Sequence, residues 1–146
     1  MQGVTRLLVL AVFIYGTLFA AAPLTARQQP VEGAHHHPEA QTLANPLSPS
    51  PELIAAGQKL FGDHCSECHG DEAKGDGMMG EDLDPPPPDL TDAQWKHGDT
   101  DGEIFTVIRD GTKDGMKKFG RKLTAEQIWQ LVIYVRSLGP TTEKTQ

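Results

Sequence analysis

Both cysteines of the chain, Cys65 and Cys68, stand in the stretch HCSECHG, His64 to Gly70, with a histidine on either side. On a helical turn Cys65, Cys68 and His69 fall at i, i+3 and i+4, so two thiols and one imidazole project to the same side. Three chemistries could use that arrangement: a disulfide, a metal site, or covalent attachment of a prosthetic group. A thioredoxin-like disulfide needs a strand running into the motif inside a parallel sheet. No run of this sequence alternates apolar and polar residues as a half-buried strand would. A zinc ion would take Cys65 and Cys68 plus two further ligands from His64, His69 or His97, but the usual second pair at its own short spacing is missing. A count of two cysteines excludes an iron–sulfur cluster held by four. The pattern C-x-x-C-H, here CSECH, is the attachment signature of haem c. Each thiol then bonds one of the two vinyl groups of a single porphyrin, and His69 becomes the proximal ligand of the iron.

Haem iron that only carries electrons is usually six-coordinate, so a second axial ligand is required. The candidates are Met116, the pair Met78 and Met79, and His97. Met116 lies in DGMKKFG, a polar, glycine-rich stretch where charged Lys117 and Lys118 argue against a core-filling role. Met78 and Met79 follow His69 by only nine and ten residues, a short path to the opposite face of a porphyrin. His97, in WKHGDT, reads more simply as a surface histidine, and His64, which precedes Cys65, points off the haem-facing side. Met116 is the expected ligand, with His97 and Met79 as alternatives.

These residues need helices to hold them. Ser50 is a suitable N-cap with Pro51 at the first helical position, and Leu53, Ile54, Gly57, Leu60 and Phe61 recur behind it at helical spacing. Gly57 sits in the middle of that apolar face, where a glycine costs stability and a close helix crossing is the structural reason for keeping it. A second helix is expected over TDGEIFTVIRDG, with Thr100 and Glu103 as a capping box and Ile104, Val107 and Ile108 on the buried side. The last, LTAEQIWQLVIYVRSLG, pairs Thr124 with Gln127 in the same way, turns Ile128, Leu131, Val132, Val135 and Leu138 inward, and ends at Gly139-Pro140. The fold class is all-α: three to four short helices joined by long Gly/Pro-rich loops, notably Gly70 to Thr91 with its four consecutive prolines. Such loops are uncommon in a small domain unless they wrap something. The apolar faces are thin for the length, as if the wrapped object supplied part of the core.

With 146 residues, 38% of them apolar, the chain suffices for one domain, expected at 51–139. Residues 1–26 carry Arg6 and the apolar run Leu7 to Ala22, the layout of a secretory signal peptide. An uncleaved membrane anchor is the alternative, because this run falls only slightly short of the roughly 20 residues that span a bilayer. Either way the domain is exported, periplasmic or otherwise outside the cytoplasm, and the lack of a twin arginine makes an unfolded export route the simpler one. Residues 27–50 read as a flexible linker, in which His35, His36 and His37 form no preorganised metal site, and 140–146 as a disordered tail.

From Pro51 to Leu138 the sequence resembles the small single-haem class I c-type cytochromes. The resemblance rests on GQKLFGDHCSECHG, KGDG, PPPPDLTD, DGEIFTVIRDGTKDGMKKFG and LTAEQIWQLVIYVRSLG, in that order. It implies the cytochrome c fold, with the first and last helices crossing near Gly57 and Tyr134 around one covalently held haem c whose iron has His69 and Met116 as axial ligands. It also implies that Pro87 or Pro88 packs on the proximal side and that a backbone carbonyl there accepts a hydrogen bond from the His69 ring, fixing its tautomer. Many relatives place proline after the methionine, where this chain has Lys117.

Filled axial positions leave no place for substrate at the iron, so the expected role is that of a one-electron carrier and not an enzyme. The first expectation is a diffusible or tethered shuttle in an exported respiratory or dehydrogenase chain. The alternative is an electron-accepting subunit permanently bound to a larger oxidoreductase. A haem enzyme or gas-binding protein, which needs an open coordination position, is disfavoured. Charge is unevenly spread in a chain of net −7. Gly62 to Glu103 holds thirteen acidic residues against Lys74 and Lys96, a net of −11. Arg109 to Lys122 holds six basic residues against Asp110 and Asp114, a net of +4. The resemblance puts an exposed haem edge beside this basic stretch, so the expected partners are redox proteins with an acidic docking surface, and not nucleic acid.

Overall fold

The structure, a computed structural model, describes residues 37–139. The segment expected to be a signal or anchor, the first part of the expected linker at 27–36, and the expected tail at 140–146 lie outside the described residues. A short 3-10 turn, Pro38–Ala40, precedes four helices: α1 Pro51–His64, α2 Ser66–His69, α3 Asp101–Asp110 and α4 Ala125–Leu138. No strand occurs among the described residues.

The helix starts form as the sequence dictates. The Ser50 side chain accepts from the Leu53 N–H at 3.3 Å, with Pro51 in the first turn. Both capping boxes close: Thr100 Oγ1 accepts from the Glu103 N–H at 3.2 Å while Glu103 Oε2 accepts from the Thr100 N–H at 3.2 Å. Thr124 and Gln127 exchange the same pair of bonds at 3.2 and 2.9 Å. Each cap satisfies amide groups that the first helical turn leaves without partners.

The frame is the crossing of α1 and α4. A Cβ added at Gly57 would lie 2.7 Å from the Tyr134 Cβ and would collide with the Gln130 carbonyl oxygen, so the two backbones touch where only glycine fits. Phe61 and Tyr134 extend the contact one turn further, with ring centroids 5.3 Å apart. On its other side α4 meets α3, where Phe105 stacks on Trp129 at 4.1 Å. Packing on both sides explains why Trp129, Ile133 and Tyr134 are buried in addition to the expected Ile128, Leu131, Val132 and Val135. The period of one apolar face underestimates a helix that is covered nearly all round.

The described part of the expected linker is not free. Ala40 is buried and Leu47 packs against the core. Gln41 Nε2 donates to Glu103 Oε1 at 3.3 Å, and Asn45 Nδ2 donates to the Trp129 carbonyl at 3.5 Å. Residues 38–47 therefore form a strap over α3 and α4, and the ordered domain begins before Pro51. Its anchor is the carboxylate of Glu103, 1% exposed. Burial alone would raise the pKa of this group, but hydrogen bonds from Thr100, from Gln41 and from the His37 backbone outweigh it and hold the carboxyl below the usual range. His37 itself sits 3.4 Å from Glu39 through Nδ1.

Candidate haem site

The chain bends between α1 and α2 so that the three residues of the sequence motif share one side. The Cys65 N–H still donates to Phe61 at 2.8 Å and closes α1, while the Cys65 carbonyl accepts from the amides of Cys68 at 3.1 Å and His69 at 2.9 Å to open α2. Cys65, Cys68 and His69 all border a cavity of about 250 Å³. Its apolar walls include Phe61 of α1, Ile104 and Ile108 of α3, and Leu131 of α4, and Met116 enters from the loop between α3 and α4. The thin helix faces noted in the sequence are the faces that line this space.

The two cysteines form no disulfide with each other. Burial, and secondarily the neighbouring Cys68, push the Cys65 thiol up to about 12. A thiol of that kind is not a thiolate at neutral pH and is a slow partner in disulfide exchange. Among the described residues no three His, Cys, Asp or Glu side chains converge as a metal site. Burial also lowers the His69 pKa, so the ring is neutral at pH 7 and presents a lone pair, the form in which histidine ligates a metal.

His69 Nδ1 is buried with no hydrogen-bond partner, a situation that costs about 1–3 kcal/mol in a finished core. The hydrogen bond that the resemblance implies, from this ring to the Pro87 or Pro88 carbonyl, is not formed. Both prolines do line the cavity. The Pro87 carbonyl, however, is turned onto the backbone of Gly75, where an added Cβ would strike it. Gly75 in turn donates its N–H to the His69 carbonyl at 2.8 Å. The proline stretch is thus tied to His69 through the backbone rather than through the ring.

Met116 is half-buried and packs against the core. Its N–H donates to Thr112 Oγ1 at 3.2 Å, and its carbonyl accepts the Thr112 N–H at 3.1 Å. Phe119 and Gly120 donate to the Ile108 and Arg109 carbonyls at 3.1 and 2.9 Å, stitching the far end of the loop to α3. These bonds hold the loop in place with Lys117 after the methionine.

Of the alternatives, Met78 is 85% exposed and does not reach the cavity, whereas Met79 and His97 border it. The surface reading of His97 is corrected: its side chain is 16% exposed and its Nε2 lies 3.7 Å from Asp114 Oδ2, in the loop that carries Met116. His64 is also corrected, since it borders the cavity with its ring 6.3 Å from that of Phe119. Sequence reasoning missed Trp95, which lines the cavity and is backed by Arg136 at 5.5 Å from its ring. The one available signal was a lone tryptophan inside a Gly/Pro-rich loop.

Two thiols, a neutral imidazole and a thioether therefore border one apolar space. That donor set fits haem c: thiols for the vinyl groups, nitrogen and sulfur for the iron, and apolar walls for the porphyrin faces. An all-α chain built in this way is a c-type cytochrome.

Residues 52–135 match the family described as cytochrome C oxidase, cbb3-type, subunit III, and the chain belongs to that family. Membership of a c-type cytochrome family carries with it covalently bound haem c and its iron. The chain is 25% identical over 147 residues to the Cbb3-type cytochrome c oxidase subunit FixP of Rhizobium meliloti, covering 84% of this chain and 49% of that protein. It thus spans about half the length of that relative. Among solved structures it is similar to the Kuenenia stuttgartiensis reducing HAO-like protein complex Kustc0457/Kustc0458, at 30% identity and a TM-score of 0.60 over 65% of this chain and 47% of that one. It is also similar to cytochrome CL of Methylophaga aminisulfidivorans, at 31% identity and a TM-score of 0.52 over 66% of this chain and 59% of that one.

Proposed function

We propose that Cys65 and Cys68 anchor the haem, that His69 and Met116 are its axial ligands, and that the protein passes single electrons as a cytochrome subunit held on a larger oxidoreductase. The observation that carries the reading is the convergence of these four side chains, from two separate parts of the chain, on one apolar cavity. Bound haem c supplies the ferric/ferrous couple. The chain's own residues decide how that couple is tuned. His69 offers an unprotonated nitrogen, and Met116 a soft sulfur that favours the reduced metal and raises the potential relative to a pair of histidines. The apolar walls keep water from the iron, which favours the state of lower charge.

A bound subunit is preferred to the shuttle that the sequence alone put first, because the family description and the FixP relative both name subunits of an oxidase. The apolar run Leu7 to Ala22 supports a place outside the cytoplasm, as a cleaved signal or as an anchor. Tagged protein purified from its native membranes is expected to keep a larger oxidoreductase through a high-salt wash. Recovery of the cytochrome alone would return the function to a diffusing shuttle.

The ligand assignment makes a separate prediction. Met116→Ala is expected to lower the reduction potential and to let the reduced protein bind carbon monoxide, while His97→Ala does neither. If His97→Ala opens the iron instead, His97 is the sixth ligand.

Lys113, Lys117 and Lys118 are exposed, and none of them makes an ion pair among the described residues. Lys117 also borders the cavity. An acidic partner surface steered to this loop accounts for that concentration of charge on an acidic protein. Reversing Lys117 and Lys118 to Glu is expected to slow electron transfer with the native partner at low salt and to flatten its salt dependence. An unchanged rate would remove this loop from docking.

A further inference from the structure

We infer that the turn carrying Met78 and Met79 is a second docking surface, opposite in sign to the lysine loop and fitted to a redox protein that presents an apolar spot flanked by Lys or Arg. The inference rests on the reading of the cavity as an electron-transfer site and goes beyond it in naming a second partner chemistry.

Among the described residues only three large apolar side chains are exposed, Leu43 at 41%, Met78 at 85% and Met79 at 51%. Two of the three are adjacent, and Met79 also borders the cavity, so an apolar path runs from the cavity wall to the surface. Their exposure is built in. The backbone of this turn is pressed onto the Cys68 turn: a Cβ at Gly77 would lie 2.5 Å from the Cys68 carbonyl carbon, and one at Gly80 would collide with the Cys68 oxygen. The Met79 N–H donates to the Glu67 carbonyl at 2.9 Å, and Gly80 closes the turn on Gly77 at 2.7 Å. With the main chain held this tightly against the attachment motif, Met78 stands out from the surface while Met79 lies partly over the cavity rim. Methionine is well suited to such a position, because its flexible, polarisable side chain adapts to more than one contact surface.

The surroundings set the sign of the partner. Glu67, Glu81, Asp82 and Asp84 flank the pair, all exposed and none in an ion pair among the described residues. This acidic turn adjoins the methionine-ligand loop: a Cβ at Gly115 would come within 3.9 Å of Leu83 Cδ2. The cavity wall thus includes Met79 and Leu83 of the acidic turn and Met116 and Lys117 of the lysine loop. A surface acidic enough to seek Lys117 and Lys118 is repelled by Glu81 and Asp82, and a basic one is drawn to them. An exposed apolar centre with a charged rim is the usual anatomy of a transient interface.

The test titrates the ¹⁵N-labelled holoprotein with a basic mitochondrial cytochrome c as probe at low ionic strength. Amide shifts are expected to cluster at 78–84, with an apparent Kd weakened at least tenfold by Glu81→Lys with Asp82→Lys and about threefold by Met78→Ser alone. Lys117→Glu is expected to leave the Kd unchanged or tighten it. Shifts that cluster elsewhere, or a Kd that ignores the Glu81, Asp82 and Met78 variants, overturn the inference. Should the charge variants fail to fold, the wild-type shift map and Met78→Ser decide it. Absence of a haem spectrum in the same sample would instead overturn the reading of the cavity, so the two failures are separable.

Discussion

A protein in which Cys65 and Cys68 are both alanine is expected to lack covalently bound haem and a stable fold. The two thiols border the cavity together with His69, and no other cysteine exists to replace them. The energetic consequence follows from the size of the space. A space of about 250 Å³ with apolar walls leaves those walls without packing partners when the haem is missing, and small domains have only about 5–15 kcal/mol of stability to lose. The walls at stake belong to α1, α3 and α4 alike, so the loss is global and not confined to the motif. Circular dichroism and denaturant titration read the fold, and absorption of the denatured polypeptide reads the attachment. Pigment that stays on the double variant would contradict the assignment of both anchors.

The second large effect is expected at the helix crossing. In an exposed helix interior, replacing glycine by alanine gains up to about 1 kcal/mol from propensity. At Gly57 the new Cβ meets Tyr134 and the backbone of Gln130, and overpacking of this kind costs about 1–3 kcal/mol. Sterics outweigh propensity, so Gly57→Ala is expected to lose roughly 1–2 kcal/mol, and Gly57→Val about 3 kcal/mol as α1 is forced off α4. Gly62 provides the control within the same helix. Nothing lies within 4 Å of a Cβ added there, and Gly62→Ala is expected to gain stability. Denaturant midpoints of the holoproteins compare the two; a gain at Gly57 would mean that the helices do not touch there.

The parts of the fold that were legible in the sequence are those fixed by neighbours within one or two turns. CSECH, Ser50-Pro51 and the Thr100/Glu103 and Thr124/Gln127 boxes each carry their reason locally, and all form the expected elements; Gly57 was legible differently, as a glycine whose cost only a close helix crossing could justify. What escaped depends on partners far along the chain. The strap at 38–47 is held by Gln41 to Glu103, 62 residues away, and by Asn45 to Trp129, 84 residues away. Its composition of Pro, Ala, Gln and Asn gives no period to read. Glu103 was visible as a cap, but its second use as the buried anchor of that strap was not. His97 and Trp95 sit in a loop whose path over the cavity is decided by what it packs on, as is the side of α4 that faces α3. Whether the protein diffuses or stays on an oxidoreductase is a property of a partner surface, and no residue period encodes it.

Whether one haem is bonded to Cys65 and Cys68 is read by precipitating the purified protein with acidified acetone and recording the pyridine haemochrome spectrum of the pellet and of the supernatant. All pigment is expected to stay with the polypeptide, at one haem per chain and with the spectrum of a haem whose vinyl groups are both saturated. Pigment released into the acetone, or a colourless protein, would contradict that attachment.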